Sequence, residues 1–536
     1  MAEAIEAATD TTAETTGRWV LAATILGSSI AFIDGTVVNV ALPVLQRELN
    51  ATAADVQWVI EGYTLFLAAL ILVGGSLGDR YGRRRIFALG IVIFTLASVW
   101  CGLAPGVGQL ILARAVQGIG GALLVPSSLA IISATFKDEA RGRAIGTWSG
   151  FTAITSALGP VLGGWLVDQA SWRWVFFINV PLAIVVLAII VLRVPESRDQ
   201  SMAARLDYLG AVLVTIGLGA LVFGLIEAGN RGLSDPLVLG GVGVGVIALA
   251  AFVFVEWRSA APMMPLNLFS SRTFSGANLL TLLLYAGLGG ALFFFPFNLQ
   301  QVQGYTPTQA GLALLPFTAL MFSLSRWAGG LVGRYGAKRP LIVGPLIAAA
   351  GFALYALPGV GGSYWTTFFP AVVVLGLGMT ITVAPLTTAV MSAVDASHSG
   401  IASGINNAVS RTAGLLAIAL FGIVMLGTFG SSLEQRLGQI ELAPETRQSI
   451  MEQRSRLAAI ELPQSVDDGA RHQIEQAIDL AFVDGFRAVM LLGAVLALLS
   501  AGSAAWLIDG KVAVKQPEVD QHHAAHCKEH SLGCGR

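Results

Sequence analysis

Long apolar runs follow one another along almost the whole chain, and this pattern sets the fold class. An α-helix rises about 1.5 Å per residue, so about 20 apolar residues cross the ~30 Å hydrocarbon core of a bilayer. The chain of 536 residues contains fourteen runs that are of this length or nearly so. They lie at 18–42, 56–77, 86–103, 110–136, 144–167, 174–192, 206–226, 237–257, 275–299, 310–332, 340–357, 366–390, 401–428 and 482–508. The sequence therefore predicts an all-α integral membrane protein with 14 transmembrane helices.

Composition argues against the other broad classes of protein. Charged residues make up 12% of the chain and hydrophobic residues 55%, whereas a soluble domain carries about 25% charged residues. Soluble enzymes, disordered proteins and nucleic-acid binders are therefore poor candidates, and a net charge of -1 leaves no basic surface for a phosphate backbone. The 3 cysteines imply no disulfide framework. The start of the chain lacks the basic and apolar regions of a signal peptide.

The short loops between the runs carry most of their basic residues on one side. With the N-terminus inside, the loops near 80–85, 137–143 and 334–339 are inner loops and are rich in Arg and Lys. The short outer loops hold only Arg47, Arg173 and Arg231. Because cytoplasmic loops carry the excess of basic residues, we expect both termini to be cytoplasmic and the protein to lie in the inner (plasma) membrane. The polar segment 431–481 then lies outside, as a pair of cap helices or as a loop docked to a periplasmic adaptor.

Internal repeats indicate that the chain contains two similar halves. The segment GGSLGDRYGRRRIFALG at 74–90 recurs as AGGLVGRYGAKRPLIVG at 328–344, and QGIGGALLVP at 117–126 recurs more loosely as LGLGMTITVAP at 375–385. Parallel halves of this kind are typical of transporters. The two helices between 206 and 257 have no repeat partner and are predicted to be inserted. The predicted divisions are an N-terminal tail 1–17, a six-helix half 18–192, a linker with the inserted helices 193–273, a second six-helix half 274–508 and a C-terminal tail 509–536.

The first repeated segment resembles the loop signature of the major facilitator superfamily. The residues that carry this resemblance are Gly75, Asp79, Arg80, Gly82, Arg83 and Arg84. A glycine-rich turn lets two helix ends approach closely, and Asp79 can pair with a neighbouring arginine. The resemblance implies a gating role for this loop, and the alternative is a turn that only keeps positive charge inside. The second copy has Gly333 where the first has Asp79.

Further motifs resemble one branch of that superfamily, the fourteen-helix drug:proton antiporters (EmrB/QacA-like multidrug efflux transporters). They are DGTVVNVALP at 34–43, LILARAVQGIGG at 110–121, LGPVLGG at 158–164, and WRW at 172–174 followed by FINVP at 177–181. The antiporter motif of the fifth helix contains Gly159, Pro160, Gly163 and Gly164. Proline kinks a helix and glycine permits close packing, so this helix is either a hinge or simply a tightly packed element.

The resemblance implies the major facilitator fold, with two six-helix halves plus two inserted central helices. It also implies proton-coupled export of small lipophilic or cationic compounds by alternating access, and therefore a secondary active transporter rather than an enzyme. A dedicated exporter of one metabolite, siderophore or lipid is the alternative within transport. Outside transport, the alternative is a membrane enzyme or a scramblase. It is disfavoured because no cluster of catalytic polar residues is visible at a membrane face.

Three ionisable residues inside the predicted spans form the expected proton-coupling site. Counted from the outer helix ends, Asp34 lies roughly 12 Å deep, Glu61 roughly 7 Å and Arg114 roughly 6 Å. A carboxylate in an apolar site tends to hold a proton, and a nearby arginine favours its release. Movement of Arg114 relative to a carboxylate would then couple protonation to conformation. The alternative is that Glu61 faces the outer solvent and only Asp34 titrates.

Other polar residues within the spans are candidates for lining a central cavity. These are Asn39, Tyr63, Gln117, Asn406 and Arg411. Arg411 has a second interpretation, in which it pins neighbouring helices together. The substrate is expected to be a drug-like small molecule, with protons and the lipid bilayer as the other partners.

We expect no cofactor, no nucleic-acid partner and a functional monomer. The C-terminal tail contains histidines and a cysteine of the kinds that bind zinc or copper. These residues are His522, His523, His526, Cys527 and His530. Because the tail is short and lacks a folded frame, we predict no metal site there.

Overall fold

The computed structural model describes residues 2–136, 138–198, 207–259, 262–395, 399–464 and 466–509. These ranges are almost entirely helical and contain no β-strand. The α-helices are α1 Ala2–Glu48, α2 Ala53–Tyr81, α3 Arg83–Leu103, α4 Val107–Thr135, α5 Asp138–Gln169, α6 Trp174–Phe177, α7 Asn179–Arg193, α8 Tyr208–Arg231, α9 Pro236–Arg258, α10 Arg272–Phe297, α11 Pro307–Ala313, α12 Leu315–Tyr335, α13 Lys338–Tyr355, α14 Tyr364–Thr367, α15 Phe369–Ser392, α16 Ser399–Leu437, α17 Pro444–Glu452 and α18 Asp468–Leu507.

The predicted fold class is confirmed. Within the described residues, 13 helical segments are long and apolar enough to cross a membrane. α13 occupies the remaining predicted run, and it is less apolar because Lys338 and Arg339 form its first turn. With α6 and α7, α11 and α12, and α14 and α15 each taken as one interrupted span, the architecture is two six-helix halves with α8 and α9 between them. The N-terminal half is α1–α7, and the C-terminal half is α10–α18.

The internal repeat is visible in how the helices pack. Gly90 of α3 faces Gly120 of α4, and a Cβ built on either would lie 3.0 Å from the carbonyl oxygen of the other. Gly344 of α13 faces Gly378 of α15 in the same way, at 2.9 Å and 2.8 Å. Both pairs occupy matching positions of the sequence repeats, so the two halves use the same close backbone contact.

Glycine also defines the turns that end the repeated segments. Gly82 separates α2 from α3 with φ of 113°, and Gly336 separates α12 from α13 with φ of 73°. Residues with a Cβ are strained at such angles. These two turns mark what we call the basic end of the bundle. The opposite end, where α1 meets α2 and α16 meets α17, we call the distal end.

α8 and α9 form an inserted hairpin that packs on both halves. α8 lies against α2 of the N-terminal half and α16 of the C-terminal half. The two hairpin helices approach closely at Gly224 and Gly241, where a Cβ on Gly241 would lie 3.1 Å from the other glycine. Most of α9 is exposed apolar surface, as expected of a helix that faces lipid.

Hydrogen bonds seal the two halves together at the distal end. The Gln57 side chain donates to the Ile418 carbonyl at 3.2 Å, and Gln300 donates to the Val40 carbonyl at 2.8 Å. The Thr308 amide donates to Asp168 at 2.9 Å. All hydrogen bonds found between described residues of the two halves lie at this end.

The segment predicted to lie outside covers the distal end. α16 continues to Leu437 and α18 begins at Asp468, so both helices extend into the predicted segment 431–481. The described chain between them contains α17 and a 3₁₀ segment, Arg454–Ala459. Gln46 donates from α1 to the Arg456 carbonyl of the 3₁₀ segment at 3.1 Å. The segment is thus part of the distal seal.

Towards the basic end the halves separate along α5 and α12. Gly164 of α5 and Gly311 of α11 make close backbone contacts across the halves at the distal end. Nearer the basic end, six glycines of these two helices face open space, because a Cβ added to any of them would meet no neighbouring atom within 4 Å. They are Gly142, Gly146 and Gly150 of α5 and Gly329, Gly330 and Gly333 of α12. The two halves are therefore closed at the distal end, and α5 and α12 are parted towards the basic end.

Candidate functional site

A buried ion pair lies in the N-terminal half between α1 and α4. The Arg114 Nη1 atom is 2.5 Å from the Asp34 Oδ2 atom, and the two side chains are 1% and 0% exposed. A charge buried in a membrane bundle is costly unless it meets an opposite charge and further hydrogen bonds. The structure thus brings together two of the three residues that the sequence predicts for the proton-coupling site.

Amide side chains hold the second oxygen of the same carboxylate. Gln117 donates to Asp34 Oδ1 at 2.8 Å, and Asn179 of α7 donates to the same atom at 3.2 Å. Asn179 also donates to the Ser98 hydroxyl at 2.8 Å, and Ser98 donates to the Phe176 carbonyl at 2.9 Å. The predicted cavity-lining residue Gln117 therefore lies within a buried network. Ser98 and Asn179 were not predicted as site residues.

Arg114 connects this network to α2. Its Nε atom donates to the Val59 carbonyl at 3.0 Å, and its guanidinium lies 4.3 Å from the centre of the Tyr63 ring. A guanidinium over an aromatic face is attracted by the ring's quadrupole. Arg114 therefore contacts α1 and α2 through one planar group, and a change in its pairing can alter how these helices pack.

The structure does not bring Glu61 to this ion pair. Glu61 is fully buried, and neither of its carboxyl oxygens has a hydrogen-bond partner. On the same face of α2, Gln57 bonds to α16 and Leu65 packs in a cluster with Leu415 of α16. Glu61 therefore lies at the seam between α2 and α16. The alternative in which it faces solvent is wrong, because α16 covers this face of α2.

Tyr63 and Arg411 share a small cavity of about 190 Å³ between the halves. Its wall also includes Thr36 and Ser156. The Arg411 Nε atom is buried without an acceptor, and this residue forms no hydrogen bond or ion pair with any other described residue, so it does not pin helices in this conformation. Two of the predicted cavity-lining residues thus lie in the wall of one cavity.

The other two predicted cavity residues have different surroundings. Asn406 of α16 donates to the Asn278 side chain at 3.1 Å and to the Thr281 hydroxyl at 2.7 Å. These bonds tie α16 to α10 within the C-terminal half. Asn39 is half-buried on α1. Asn406 thus stabilises the packing of one half in this conformation.

The candidate gating loop is held within the N-terminal half. The Arg83 Nε atom lies 2.8 Å from Asp79 Oδ1 across the Gly82 turn. The Arg84 amide donates to Glu196 at 3.0 Å, and Arg85 lies 3.6 Å from the same carboxylate. Glu196 follows α7 and was not predicted. The remaining loop residues do not cross to the other half, since Gly75 faces Pro126 and Arg80 lies 5.4 Å from the Tyr81 ring.

The glycines of the predicted antiporter motif lie where α5 approaches α1 and α11 closely. Gly159 faces the Thr36 side chain, and Gly163 faces the Val37 carbonyl, both in α1. Gly164 faces the Pro307 carbonyl of α11, and the Pro160 carbonyl faces Gly311. α5 continues as one helix through Pro160. The motif thus joins α5 to its own half on one side and to the C-terminal half on the other.

The residues that the structure describes contain no group of three or more His, Cys, Asp and Glu side chains that could hold a metal ion. The tail candidates His522, His523, His526, Cys527 and His530 lie outside the described residues.

Comparisons with known proteins cover most of the chain. Residues 24–419 match the family model described as Major Facilitator Superfamily. The "Multidrug resistance protein Stp" of Mycobacterium tuberculosis is 36% identical over 438 residues, which is 81% of this chain and 80% of that protein. The "Tetracenomycin C resistance and export protein" of Streptomyces glaucescens is 32% identical over 506 residues, 93% of each chain.

Two further proteins extend these comparisons. The "Puromycin resistance protein pur8" of Streptomyces alboniger is 37% identical over 421 residues, 77% of this chain and 83% of that protein. Among solved structures, a bacterial homologue of the human lysosomal transporter Spinster, crystallised in an inward-facing and occupied conformation, matches with a TM-score of 0.62 and 18% identity. The match covers 91% of this chain and 96% of that one, and at this identity it shows a shared fold.

Proposed function

Because this chain belongs to the major facilitator superfamily, we propose that it exports small lipophilic or cationic compounds in exchange for protons. The chain is a multi-pass membrane transporter of the drug-efflux kind rather than an enzyme, as relatives that are 32–37% identical are named for drug resistance or export. The exchange for protons is the part that the site geometry supports.

The buried Asp34–Arg114 pair is the observation that carries the proton-coupling proposal. An ionisable group inside a membrane bundle is a functional candidate by default. A proton on Asp34 removes the negative charge that holds Arg114, and the remaining partners of Arg114 are then Gln117 of its own helix and the Val59 carbonyl and Tyr63 ring of α2. Protonation therefore shifts the balance of contacts among α1, α2 and α4.

These helices lead directly to the distal seal. α1 accepts the bond from Gln300 at Val40, and α2 donates the bond from Gln57 to Ile418. A rearrangement of α1 against α2 therefore strains contacts between the halves. We infer that proton binding and opening of the distal end are linked through this route.

We propose that the basic end faces the cytoplasm, with both termini on that side and the distal end outside. The excess of Arg and Lys at the basic end supports this orientation. The conformation described here, with α5 and α12 parted towards the basic end, would then receive substrate from the cytoplasm or the inner leaflet. The cavity that Tyr63 and Arg411 line places an aromatic ring and an unpaired cation at the boundary of the halves.

Dedicated export of one compound is a second candidate. Two of the relatives are named for a single antibiotic each, tetracenomycin C and puromycin. The screen that separates the candidates expresses the chain in a strain that lacks its major efflux pumps and tests dyes, biocides and antibiotics for raised resistance. Resistance to one compound alone would favour the dedicated exporter.

Everted membrane vesicles test the coupling. An imposed pH gradient is expected to drive uptake of a compound from that screen, and a protonophore is expected to abolish the uptake. Uptake that continues at the same rate without a proton gradient would contradict antiport.

Glu61→Gln is expected to change the pH dependence of export. An ionised carboxylate with no partner is costly in this buried site, so this conformation favours the neutral form that Gln imitates. The variant should match the wild type at low pH and fall below it as pH rises, where the wild-type cycle can use the ionised form. Transport rates in vesicles, measured across a pH series, give this comparison.

An exposed carboxylate provides the matched control for that variant. Glu434 lies on the surface near the distal end of α16, and Glu434→Gln should leave the pH profile unchanged. Superimposable profiles for Glu61→Gln and the wild type would remove Glu61 from the coupling mechanism.

Asp79→Asn is expected to lose most transport while the protein still inserts and expresses. The Asp79–Arg83 pair is partly exposed, so its loss costs about 1 kcal/mol of stability or less. A large loss of transport would therefore report on gate movement rather than on folding. The measurement is vesicle transport normalised to the amount of inserted protein.

Gly333 is the counterpart of Asp79 in the second repeat, and a Cβ added at this position would meet no neighbouring atom within 4 Å. Gly333→Ala should therefore transport nearly as well as the wild type. Equal transport by Asp79→Asn and the wild type would rule out the gating role of the carboxylate.

A further inference from the structure

The inserted hairpin borders a second cavity, away from the Asp34 site. This hairpin cavity has a volume of about 500 Å³ and is bounded by α2, α8, α9, α10 and α16. Its wall includes Leu72, Val214, Phe252, Leu282 and Ala408, and none of its lining residues is charged. A volume of this size falls within the range of small-molecule sites, roughly 300–1,000 Å³. Both halves and the hairpin contribute to one apolar site.

The wall contains three polar residues, Ser275, Asn278 and Thr412, all of them uncharged, and the first two already have partners within the protein. Ser275 donates to the Phe269 carbonyl at 2.6 Å. Asn278 donates to the Phe274 carbonyl at 2.9 Å and accepts from Asn406 at 3.1 Å. A charged ligand would lose its hydration here without gaining a counter-ion, which is costly. The wall therefore selects an uncharged, lipophilic ligand.

The cavity reaches the surface that faces lipid. Val253 of α9 and Leu279 of α10 both line it, and they are 46% and 40% exposed. A ligand dissolved in the bilayer can therefore enter between these helices without crossing water.

Two methionines border the cavity where α9 ends. Met263 and Met264 are part of the wall, and the Met264 amide donates to the buried Glu256 carboxylate at 2.9 Å. Methionine is flexible and fills irregular space, so this border can adapt to ligands of different shape. The hydrogen bond to Glu256 fixes the backbone of the border to the hairpin.

We propose that the hairpin cavity is a binding site for uncharged lipophilic compounds that enter from the bilayer. The proposal rests on the proposed export function, in which such compounds are substrates collected beside the seam of α2 and α16. Two kinds of ligand are uncharged and lipophilic in this way: an exported compound and the acyl chain of a lipid. The inserted helices then have a role in substrate capture that a twelve-helix bundle lacks.

Photolabelling of the full chain in nanodiscs tests the site. The probe is adamantyl diazirine, an uncharged apolar photolabel, and the readout is its attachment to α16 residues 405–416, measured by mass spectrometry of peptides. Val214→Phe should reduce this labelling by roughly tenfold, because the added ring occupies the site. Val212→Phe makes the same change on the exposed side of α8 and should leave the labelling unchanged.

A second variant fills the cavity from a different helix and controls for local misfolding around Val214. Ala408→Phe projects from α16 and should reduce labelling of α9 residues 249–253 while preserving the thermal stability of the protein. Unchanged labelling in both Val214→Phe and Ala408→Phe would overturn the proposal.

Competition identifies the source of the ligand. Excess chloramphenicol, which is uncharged, should displace the probe if exported compounds bind, whereas phosphatidylglycerol with a diazirine in its acyl chain should label the same peptide if lipid binds. Displacement by the cation tetraphenylphosphonium at equal concentration would contradict the predicted selectivity. The labelling requires no proton gradient, so failure of antiport and failure of this site are separate results.

Discussion

Asp34→Asn is expected to reduce proton-driven export to the background rate of vesicles that lack the transporter. The change removes the only carboxylate bonded to Arg114 among the described residues and leaves an amide that cannot exchange a proton. Substrate binding should persist, because the Tyr63–Arg411 cavity does not include Asp34. The measurements are substrate accumulation under a pH gradient and, separately, equilibrium binding to purified protein.

A double variant separates coupling from stability. Asp34→Asn alone leaves the buried Arg114 without its counter-ion, which costs about 3–5 kcal/mol in buried pairs. Asp34→Asn with Arg114→Gln removes both charges and should recover much of the lost thermal stability without recovering proton-driven export. If Asp34→Asn still concentrates substrate against its gradient by means of a pH difference, the coupling site lies elsewhere.

Gly164→Leu is expected to lose nearly all transport, by a different mechanism. Even a Cβ at this position overlaps the Pro307 carbonyl of α11, so a leucine side chain keeps the distal ends of α5 and α11 apart. The halves should then remain open at the distal end and fail to complete the cycle. A cysteine introduced by Thr308→Cys should react faster with an impermeant maleimide in this variant than in an otherwise wild-type background.

The same helix offers controls for that prediction. Gly150 of α5 has open space around a built Cβ, and Gly150→Leu should keep both transport and the slow maleimide reaction. Gly159→Leu disturbs the contact with Thr36 within the N-terminal half, so it should impair transport without exposing the distal end to the same degree. Equal maleimide rates for Gly164→Leu and Gly159→Leu would indicate general misfolding rather than a blocked seal.

Helix depth could be predicted from the sequence, but helix rotation could not. The rule that a charge in the bilayer seeks a partner led to the pairing of Asp34 with Arg114, since their predicted depths were compatible. Depth alone also placed Glu61 beside them. Successive residues are rotated by about 100° around a helix axis, so the depth of a residue does not tell which neighbouring helix its side chain faces. Glu61 faces α16 because of the way in which α2 is rotated within the bundle.

Small polar residues were missed for a related reason. Ser98 and Asn179 lie in apolar runs where single polar residues are common, and only the packing of α3 against α7 shows that they share the Asp34 network. Glu196 was missed because its contact with the Gly82 turn joins segments more than 110 residues apart. By contrast, the repeat predicted equivalent packing, and the Gly90–Gly120 and Gly344–Gly378 contacts match it.

Opening the distal end requires breaking the hydrogen bonds between the two halves, and this has a free-energy cost in each transport cycle. Most of these bonds join a neutral amide group to an uncharged oxygen, and such a bond contributes about 1 kcal/mol. Breaking the set therefore costs on the order of 5 kcal/mol. One proton that moves through ~100 mV releases about 2.3 kcal/mol. If export is coupled to protons as proposed, two or so protons moving through ~100 mV supply an energy of the same order as the cost of opening this hydrogen-bonded seal.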